Sequence, residues 1–191
     1  MRKTFSILSL LIFSLSSCGQ SGKEYHFQEI GLHIKVPNGY LIEDSFPKPS
    51  FLDENGKQIT DPAKRKELEA DLMKGLLVVS TSERKNTASF NLAMETPKTG
   101  SFEKYFIFSK DMQKFMSMAQ MNTFDTLSST MWVGNIAFRK FLTFSDKQKP
   151  SQYSEIYVAQ VKNYFLIIKA DYSDKKFGED IEKAILTSKF D

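Results

Sequence analysis

Apolar and polar residues alternate in short runs along most of the chain, which is the pattern of half-buried β-strands. The alternation begins near Tyr25 and is clearest over residues 30–36. Four apolar residues at every second position are expected to share one strand face: Ile30, Leu32, Ile34 and Val36. Pro37-Asn38-Gly39 then supplies turn residues that end this strand.

Two-residue connections divide the second half of the chain into neighbouring strands. Gly134-Asn135 and Lys162-Asn163 each separate two alternating runs, as in antiparallel hairpins. The strands predicted there are 125–133, 136–144, 152–161 and 164–172. Earlier in the chain, the apolar run 76–79 predicts a central strand, and a further strand is predicted from the alternation of Ala88, Phe90, Leu92 and Met94.

Three helices are predicted between these strands. Asp61-Pro62 is a helix start, and the first helix is expected to cover 63–74, mostly solvated, and to end at Gly75. Ser101 can cap the second helix. Its residues at helical spacing are expected to face the sheet: Tyr105, Phe108, Met112, Phe115 and Ala119. The corresponding stripe of the last helix is Phe177, Ile181, Ala184 and Ile185.

This order of elements predicts the fold class. Short hairpin links are incompatible with a doubly wound parallel sheet, because parallel strands need long crossover connections. The sequence therefore predicts an α+β fold, an antiparallel β-sheet with helices packed on its faces, formed by one domain over residues 25–191.

The N-terminus has the pattern of an export signal. Arg2 and Lys3 precede an apolar stretch over residues 5–15, which is interrupted only by serines. A membrane-spanning helix needs about 20 apolar residues, so this stretch is too short to be one. A basic start, a short apolar stretch and small residues before a cleavage point are typical of a secretory signal, here residues 1–17.

Cys18 is the only cysteine in the 191 residues, and it follows this signal directly. The motif Leu15-Ser16-Ser17-Cys18 resembles the lipobox of exported bacterial lipoproteins. The resemblance implies that the thiol of Cys18 receives a diacylglyceryl group, that cleavage makes Cys18 the first residue, and that residues 18–24 are the lipidated cysteine and a short tether. The alternative is an ordinary signal peptide that happens to end in a cysteine.

The lipobox resemblance also implies a location. Gly19 stands where an Asp would favour retention in the inner membrane of Gram-negative bacteria. We therefore expect a lipid-anchored protein of the cell envelope, at the outer rather than the inner membrane. ATP and nicotinamide cofactors are scarce outside the cytoplasm, so enzymes that depend on them are excluded.

Charge and composition limit the partners further. Removal of residues 1–17 lowers the count of Lys and Arg from 26 to 24 against 23 acids, so the net charge becomes +1. This balance is not that of a polybasic surface, and we expect no nucleic acid as a partner. The 17 phenylalanines have two interpretations, an aromatic-rich sheet or an aromatic-lined ligand pocket.

The residues that could carry chemistry do not form a catalytic or metal-binding motif. His26 and His33 are seven residues apart, so on one continuous strand they would face opposite sides, and no metal pair is expected. The sequence contains no Gly-x-Ser-x-Gly elbow and no phosphate-binding glycine loop. Glu67 and Asp71 lie one helical turn apart among other charges, and we interpret them as surface residues.

Methionines offer one further candidate chemistry. Thioethers can bind copper(I), but methionine also fills irregular cores, and we favour the second role. The residues concerned are Met112, Met116, Met118, Met121 and Met131. We therefore predict no catalytic residue, no metal site and no cofactor.

Several phrases, in order, resemble Mog1/PsbP-like domains. They are IGLHIKVPNGY, SFEKYFIFSKDMQKF, WVGNIAFRKFLTF, VKNYFLIIKADY and ILTSKFD, and the resemblance extends over residues 25–190. It implies an α/β/α sandwich that usually has no catalytic activity and mostly acts by binding other proteins. No catalytic motif of the family exists to be carried over to this chain.

Three functions follow as hypotheses. The first is a membrane-anchored, non-catalytic module that binds or helps to assemble another envelope protein. The second is a carrier or sensor of a small apolar ligand, which the phenylalanine content suggests. The third is a hydrolase without a recognisable motif, which would require a cleft with convergent polar residues.

Overall fold

The computed structural model describes residues 22–46, 50–70, 72–95, 100–120, 124–145 and 150–191. Ten strands and three helices are assigned within these residues. The strands are β1 (Gly22–Phe27), β2 (Leu32–Pro37), β3 (Leu41–Glu43), β4 (Lys74–Ser80), β5 (Thr87–Met94), β6 (Phe124–Val133), β7 (Ile136–Ser145), β8 (Tyr153–Val161), β9 (Tyr164–Tyr172) and β10 (Lys189–Phe190). The helices are α1 (Pro62–Ala70), α2 (Phe102–Gln120) and α3 (Lys175–Leu186).

Seven strands form the large sheet, in the order β3-β4-β5-β9-β8-β7-β6, and every neighbouring pair is antiparallel. Each of its last four strands agrees with the predicted range to within one residue. The tight turns at Gly134 and Lys162 both have positive φ, 59° and 56°. Strands β6 to β9 form an antiparallel meander. The two hairpins fix its register, because a slip of one residue would turn every side chain to the other face.

Each face of the large sheet buries its own apolar cluster. Along β8, Tyr157 and Ala159 belong to the first cluster, while Ile156 and Val158 belong to the second. The first cluster is covered by α3 and by a small antiparallel sheet in the order β1-β2-β10. The second is covered by α2. The predicted α+β fold, with helices packed on both faces of an antiparallel sheet, is confirmed.

The first cluster contains the residues that the alternation identified. All four apolar residues of the stretch 30–36 are at most 1% exposed: Ile30, Leu32, Ile34 and Val36. The predicted stripe of α3 is buried as well. Asp174 caps this helix by accepting a hydrogen bond from the backbone N–H of Lys176 at 2.9 Å.

The first strand begins at Gly22, which pairs with Pro37. Residues 22–24, predicted as part of a tether, are therefore paired with β2. Cys18 and residues 1–17 lie outside the described residues. Within the part of the chain that is described, no helix is both long and apolar enough to cross a membrane.

The predicted end of the first helix is wrong. Lys74 already belongs to β4, and the last described residue of α1 is Ala70. Gly75 lies at an irregularity in the pairing of β4 with β5 and does not end a helix. A Cβ at Gly75 would lie 3.1 Å from the ring of Phe46, so this glycine makes room for an aromatic side chain.

Candidate functional site

Helix α2 turns most of its predicted core face to solvent. Phe108 and Phe115 are 61% and 65% exposed, and Met112 and Ala119 are exposed as well. Only Tyr105 of the predicted stripe packs against the second cluster, with its ring centroid 4.7 Å from that of Phe165. The expectation that the apolar stripe faces the sheet is therefore wrong for four of its five residues.

The sheet beneath α2 explains why the helix exposes its apolar stripe and buries polar residues. We call this arrangement the inversion of α2. Besides Phe106, the helix residues buried there are polar: Ser109, Gln113 and Ser117, each at most 8% exposed. Ser117 shares a hydrogen bond of 2.7 Å with Thr143. The side-chain amide of Gln113 donates to Ser154. Because the sheet offers hydroxyl groups at these positions, polar helix residues gain hydrogen bonds there that apolar residues could not make.

The inversion leaves an exposed apolar surface, which we call the α2 apolar face. Its side chains are 40–65% exposed, and they are Ile107, Phe108, Met112, Phe115, Met116 and Met118. Large contiguous apolar patches are uncommon on folded proteins and mark surfaces that bind a partner or a membrane. Aromatic residues and methionine are also enriched at protein interfaces.

A second arrangement lies in the small sheet, where two histidines face each other. His26 of β1 is directly opposite His33 of β2. Their rings stack with centroids 3.9 Å apart and planes 15° apart. The expectation that they face opposite sides is wrong, because the turn over residues 28–31 places them on two paired strands. Gly31, with φ +66°, was the available signal for that turn.

Asp191 completes this arrangement as a His–His–Asp cluster. Its Oδ2 lies 2.8 Å from Nε2 of His33 and 3.6 Å from Nε2 of His26. The hydrogen bond with His33 lowers the pKa of Asp191 below its ordinary value, against a smaller opposing effect of burial. The donor atoms of the three residues all lie within 4.8 Å of one another.

The backbone holds Asp191 in this position. The adjacent strand β10 pairs with β2, and the N–H of Asp191 donates to the carbonyl oxygen of Gly31 at 3.0 Å. A Cβ on Gly31 would lie 3.1 Å from the nitrogen of Asp191. The glycine therefore permits both the positive φ of the turn and the close approach of the second chain segment.

Buried charges lie on the opposite side of the large sheet from α2. The ammonium group of Lys140 is 2.9 Å from Oε1 of Glu155 and 3.2 Å from Oε1 of Glu182 on α3. The side chain of Glu155 is only 4% exposed and accepts a hydrogen bond from the hydroxyl of Tyr157. Burial, followed by the charge of Glu155, raises the pKa of Tyr157 well above its ordinary range. These groups satisfy one another inside the protein, which is the arrangement of a structural network.

The other candidates from the sequence are not brought together. Met131 packs against the first cluster, across the large sheet from the methionines of α2, and Met121 lies outside the described residues. Glu67 is exposed on α1, and its predicted neighbour Asp71 also lies outside the described residues.

Two surface depressions bear on the apolar-ligand hypothesis. One, of about 490 Å³, is lined by Lys85, Gln152, Tyr153, Ser154, Asp171, Tyr172 and Ser173. The other, of about 350 Å³, is lined by His26, Phe27, Gln28, Glu29, Asp44, Lys74, Gly75 and Leu76. Both mix charged and polar groups with aromatic ones, whereas a pocket for an apolar ligand is lined mainly by apolar side chains.

Comparison with solved structures identifies the architecture. The solution structure of cyanobacterial PsbP (CyanoP) from Synechocystis sp. PCC 6803 superposes with a TM-score of 0.54 at 9% identity, covering 93% of this chain and 99% of that one. The crystal structure of the Saccharomyces cerevisiae Ran-binding protein Mog1p gives a TM-score of 0.38 at 13% identity, covering 87% and 85%. No family model and no curated protein matches the sequence. The chain therefore has the fold of cyanobacterial PsbP, as the resemblance of its sequence phrases implied.

Proposed function

We propose that this protein is a non-catalytic interaction module, anchored to a membrane of the cell envelope by lipid on Cys18, and that the α2 apolar face binds another envelope protein. The α2 apolar face is the observation that carries this proposal. It exposes two phenylalanines and three methionines although polar residues of the same helix are buried. Such an arrangement costs free energy in water unless a partner covers the face.

The layers of the fold favour a protein partner over the anchoring bilayer. Strand β1 lies in the small sheet, and α2 packs on the opposite face of the large sheet. Cys18 precedes Gly22 by four residues, which span about 14 Å when fully extended. Packed layers lie about 10 Å apart, so two layer separations place α2 about 20 Å from the small sheet. Gly22 and the α2 apolar face therefore lie on opposite sides of the domain, and the four residues from Cys18 to Gly22 are too few to span the distance between these two layers.

The lipid anchor has a direct test. Cells that express the full-length protein are labelled with a radioactive fatty acid, and the immunoprecipitated protein is compared with a Cys18→Ser variant. We expect label in the wild-type protein and none in the variant, because Cys18 is the only cysteine. Label that persists in Cys18→Ser would contradict lipidation at this residue.

The docking surface is tested separately by crosslinking in intact envelopes, followed by mass spectrometry. We expect a reproducible partner for the wild-type protein and at least about tenfold less of it for a Phe108→Ser/Phe115→Ser variant, because an aromatic hot-spot residue contributes about 2 kcal/mol or more to binding. Both side chains are more than half exposed, so the fold should tolerate the change.

A matched control removes exposed apolar side chains elsewhere. Leu52→Ser/Leu186→Ser changes two residues that are 59% and 49% exposed outside α2. This control should crosslink like the wild type. Absence of any reproducible partner, or equal loss in both double variants, would refute the α2 apolar face as the docking surface, whatever the outcome of the labelling experiment.

A further inference from the structure

We propose that His26, His33 and Asp191 bind a divalent transition ion of the zinc class. Two imidazole nitrogens and a carboxylate are a ligand set that suits Zn²⁺, and three protein ligands leave the fourth tetrahedral position open to water or to a ligand from a partner. Calcium and magnesium prefer oxygen ligands alone, so the two histidines select against them.

The distances between the donor atoms fit a single ion. Zinc lies about 2.0–2.2 Å from nitrogen and oxygen ligands, so two ligand atoms of one tetrahedral ion are about 3.4 Å apart. The distances from the carboxylate oxygen of Asp191 to the two Nε2 atoms, 2.8 and 3.6 Å, lie on either side of this value. The side chains of His26 and His33 are 41% and 30% exposed. The two rings are stacked nearly parallel, so binding one ion requires them to turn until both nitrogens point at it.

Backbone hydrogen bonds hold the three proposed ligands in fixed positions relative to one another. Cross-strand pairing fixes the two histidines relative to each other, and the bond from Asp191 to Gly31 fixes the third ligand. Ligands that are already held together lose less conformational entropy on binding. Since the site draws on β1, β2 and the residue after β10, it exists only when the small sheet is complete.

A neighbouring carboxylate supports the same interpretation. Oε1 of Glu24 lies 3.9 Å from Nδ1 of His33, the ring nitrogen that does not face Asp191. Metal-binding histidines usually donate their second ring N–H to a carboxylate, a carbonyl oxygen or water, which orients the ring and strengthens the ligand. Glu24 is thus the carboxylate close to the second ring nitrogen of His33, although 3.9 Å is longer than a hydrogen bond.

The experiment is equilibrium dialysis of the protein as purified from envelopes in mild detergent, against Zn²⁺ at neutral pH. The variants are His26→Gln, His33→Gln and Asp191→Asn, and Asp44→Asn serves as an exposed carboxylate control near the site. We expect one zinc ion per chain, at least about tenfold weaker binding in each of the three variants, and unchanged binding in the control. Millimolar Mg²⁺ should not compete.

A spectroscopic readout separates ligation from a structural effect of the substitutions. Co²⁺ in place of Zn²⁺ should give a visible absorption spectrum typical of nitrogen and oxygen ligands, and the Asp191→Asn variant, which preserves side-chain shape, should change it. Circular dichroism establishes that each variant is folded. Failure of the wild type to bind zinc, or a loss of less than about tenfold in folded variants, would overturn the proposal.

Discussion

Lys140→Met is expected to lower the free energy of unfolding by about 3–5 kcal/mol, because it leaves the buried carboxylate of Glu155 without its cation. Lys140 is itself only 14% exposed, and its ammonium group lies between Glu155 and Glu182. Methionine matches the length of the lysine stem, so the space stays filled while the charge disappears. The hydroxyls of Tyr157 and Tyr172, which hydrogen-bond to Glu155, cannot neutralise a carboxylate that is removed from water.

Urea denaturation followed by circular dichroism measures this loss, and two further variants assign its cause. Lys74→Met removes the cation of a mostly exposed ion pair with Glu29 and should cost less than about 1 kcal/mol. Lys140→Met/Glu155→Gln removes both charges and should recover much of the stability. If Lys140→Met costs no more than Lys74→Met, the charge pair does not contribute to the core as we describe.

Gly178→Ala is expected to destabilise the protein, although the same substitution in an exposed helix would stabilise it by about 1 kcal/mol. A Cβ at Gly178 would lie 2.3 Å from Cζ of Tyr172. That ring is held by Tyr153, stacked with centroids 5.1 Å apart, and by Phe177 at 6.3 Å. Overpacking of this kind costs about 1–3 kcal/mol or more, which outweighs the gain in helix propensity.

A double-mutant cycle isolates the steric cause. In a Tyr172→Ala background the space beside Gly178 is vacated, so adding Gly178→Ala should become neutral or stabilising. The measured quantity is the free energy of unfolding of all four proteins. A destabilisation by Gly178→Ala that is the same with and without the tyrosine ring would show that α3 does not require a glycine for close packing on Tyr172.

Local patterns predicted the strands and hairpins well. The meander from β6 to β9 was readable because two of its three connections, at Gly134-Asn135 and Lys162-Asn163, are two residues long and its strands are nine or ten residues long. The core stretch 30–36 was equally clear. These features depend on residues close together in the sequence, and each local preference agrees with the fold. The same holds for α3, whose apolar stripe faces an apolar surface.

The two candidate sites depend on residues far apart in the sequence, and local patterns could not reveal them. The inversion of α2 follows from Thr143 and Ser154, which lie on strands beyond the helix and require hydroxyl or amide partners. A helical periodicity of apolar residues says which residues share a face, but not whether the opposing sheet is apolar. Likewise, nothing near His26 and His33 indicates that Asp191 lies beside them.

The pairing of β2 has a consequence for the order of folding. Strand β1, its partner on one edge, is close in sequence. On the other edge β10 pairs with Leu32 and His33, and the contact between His33 and Asp191 joins residues 158 positions apart. Contacts of such long range form late, because the chain must close a large loop first. Until then β2 keeps one edge of unpaired N–H and C=O groups, which can pair with another chain. Newly synthesised copies can thus pair with another chain at β2 before residues 189–190 have docked.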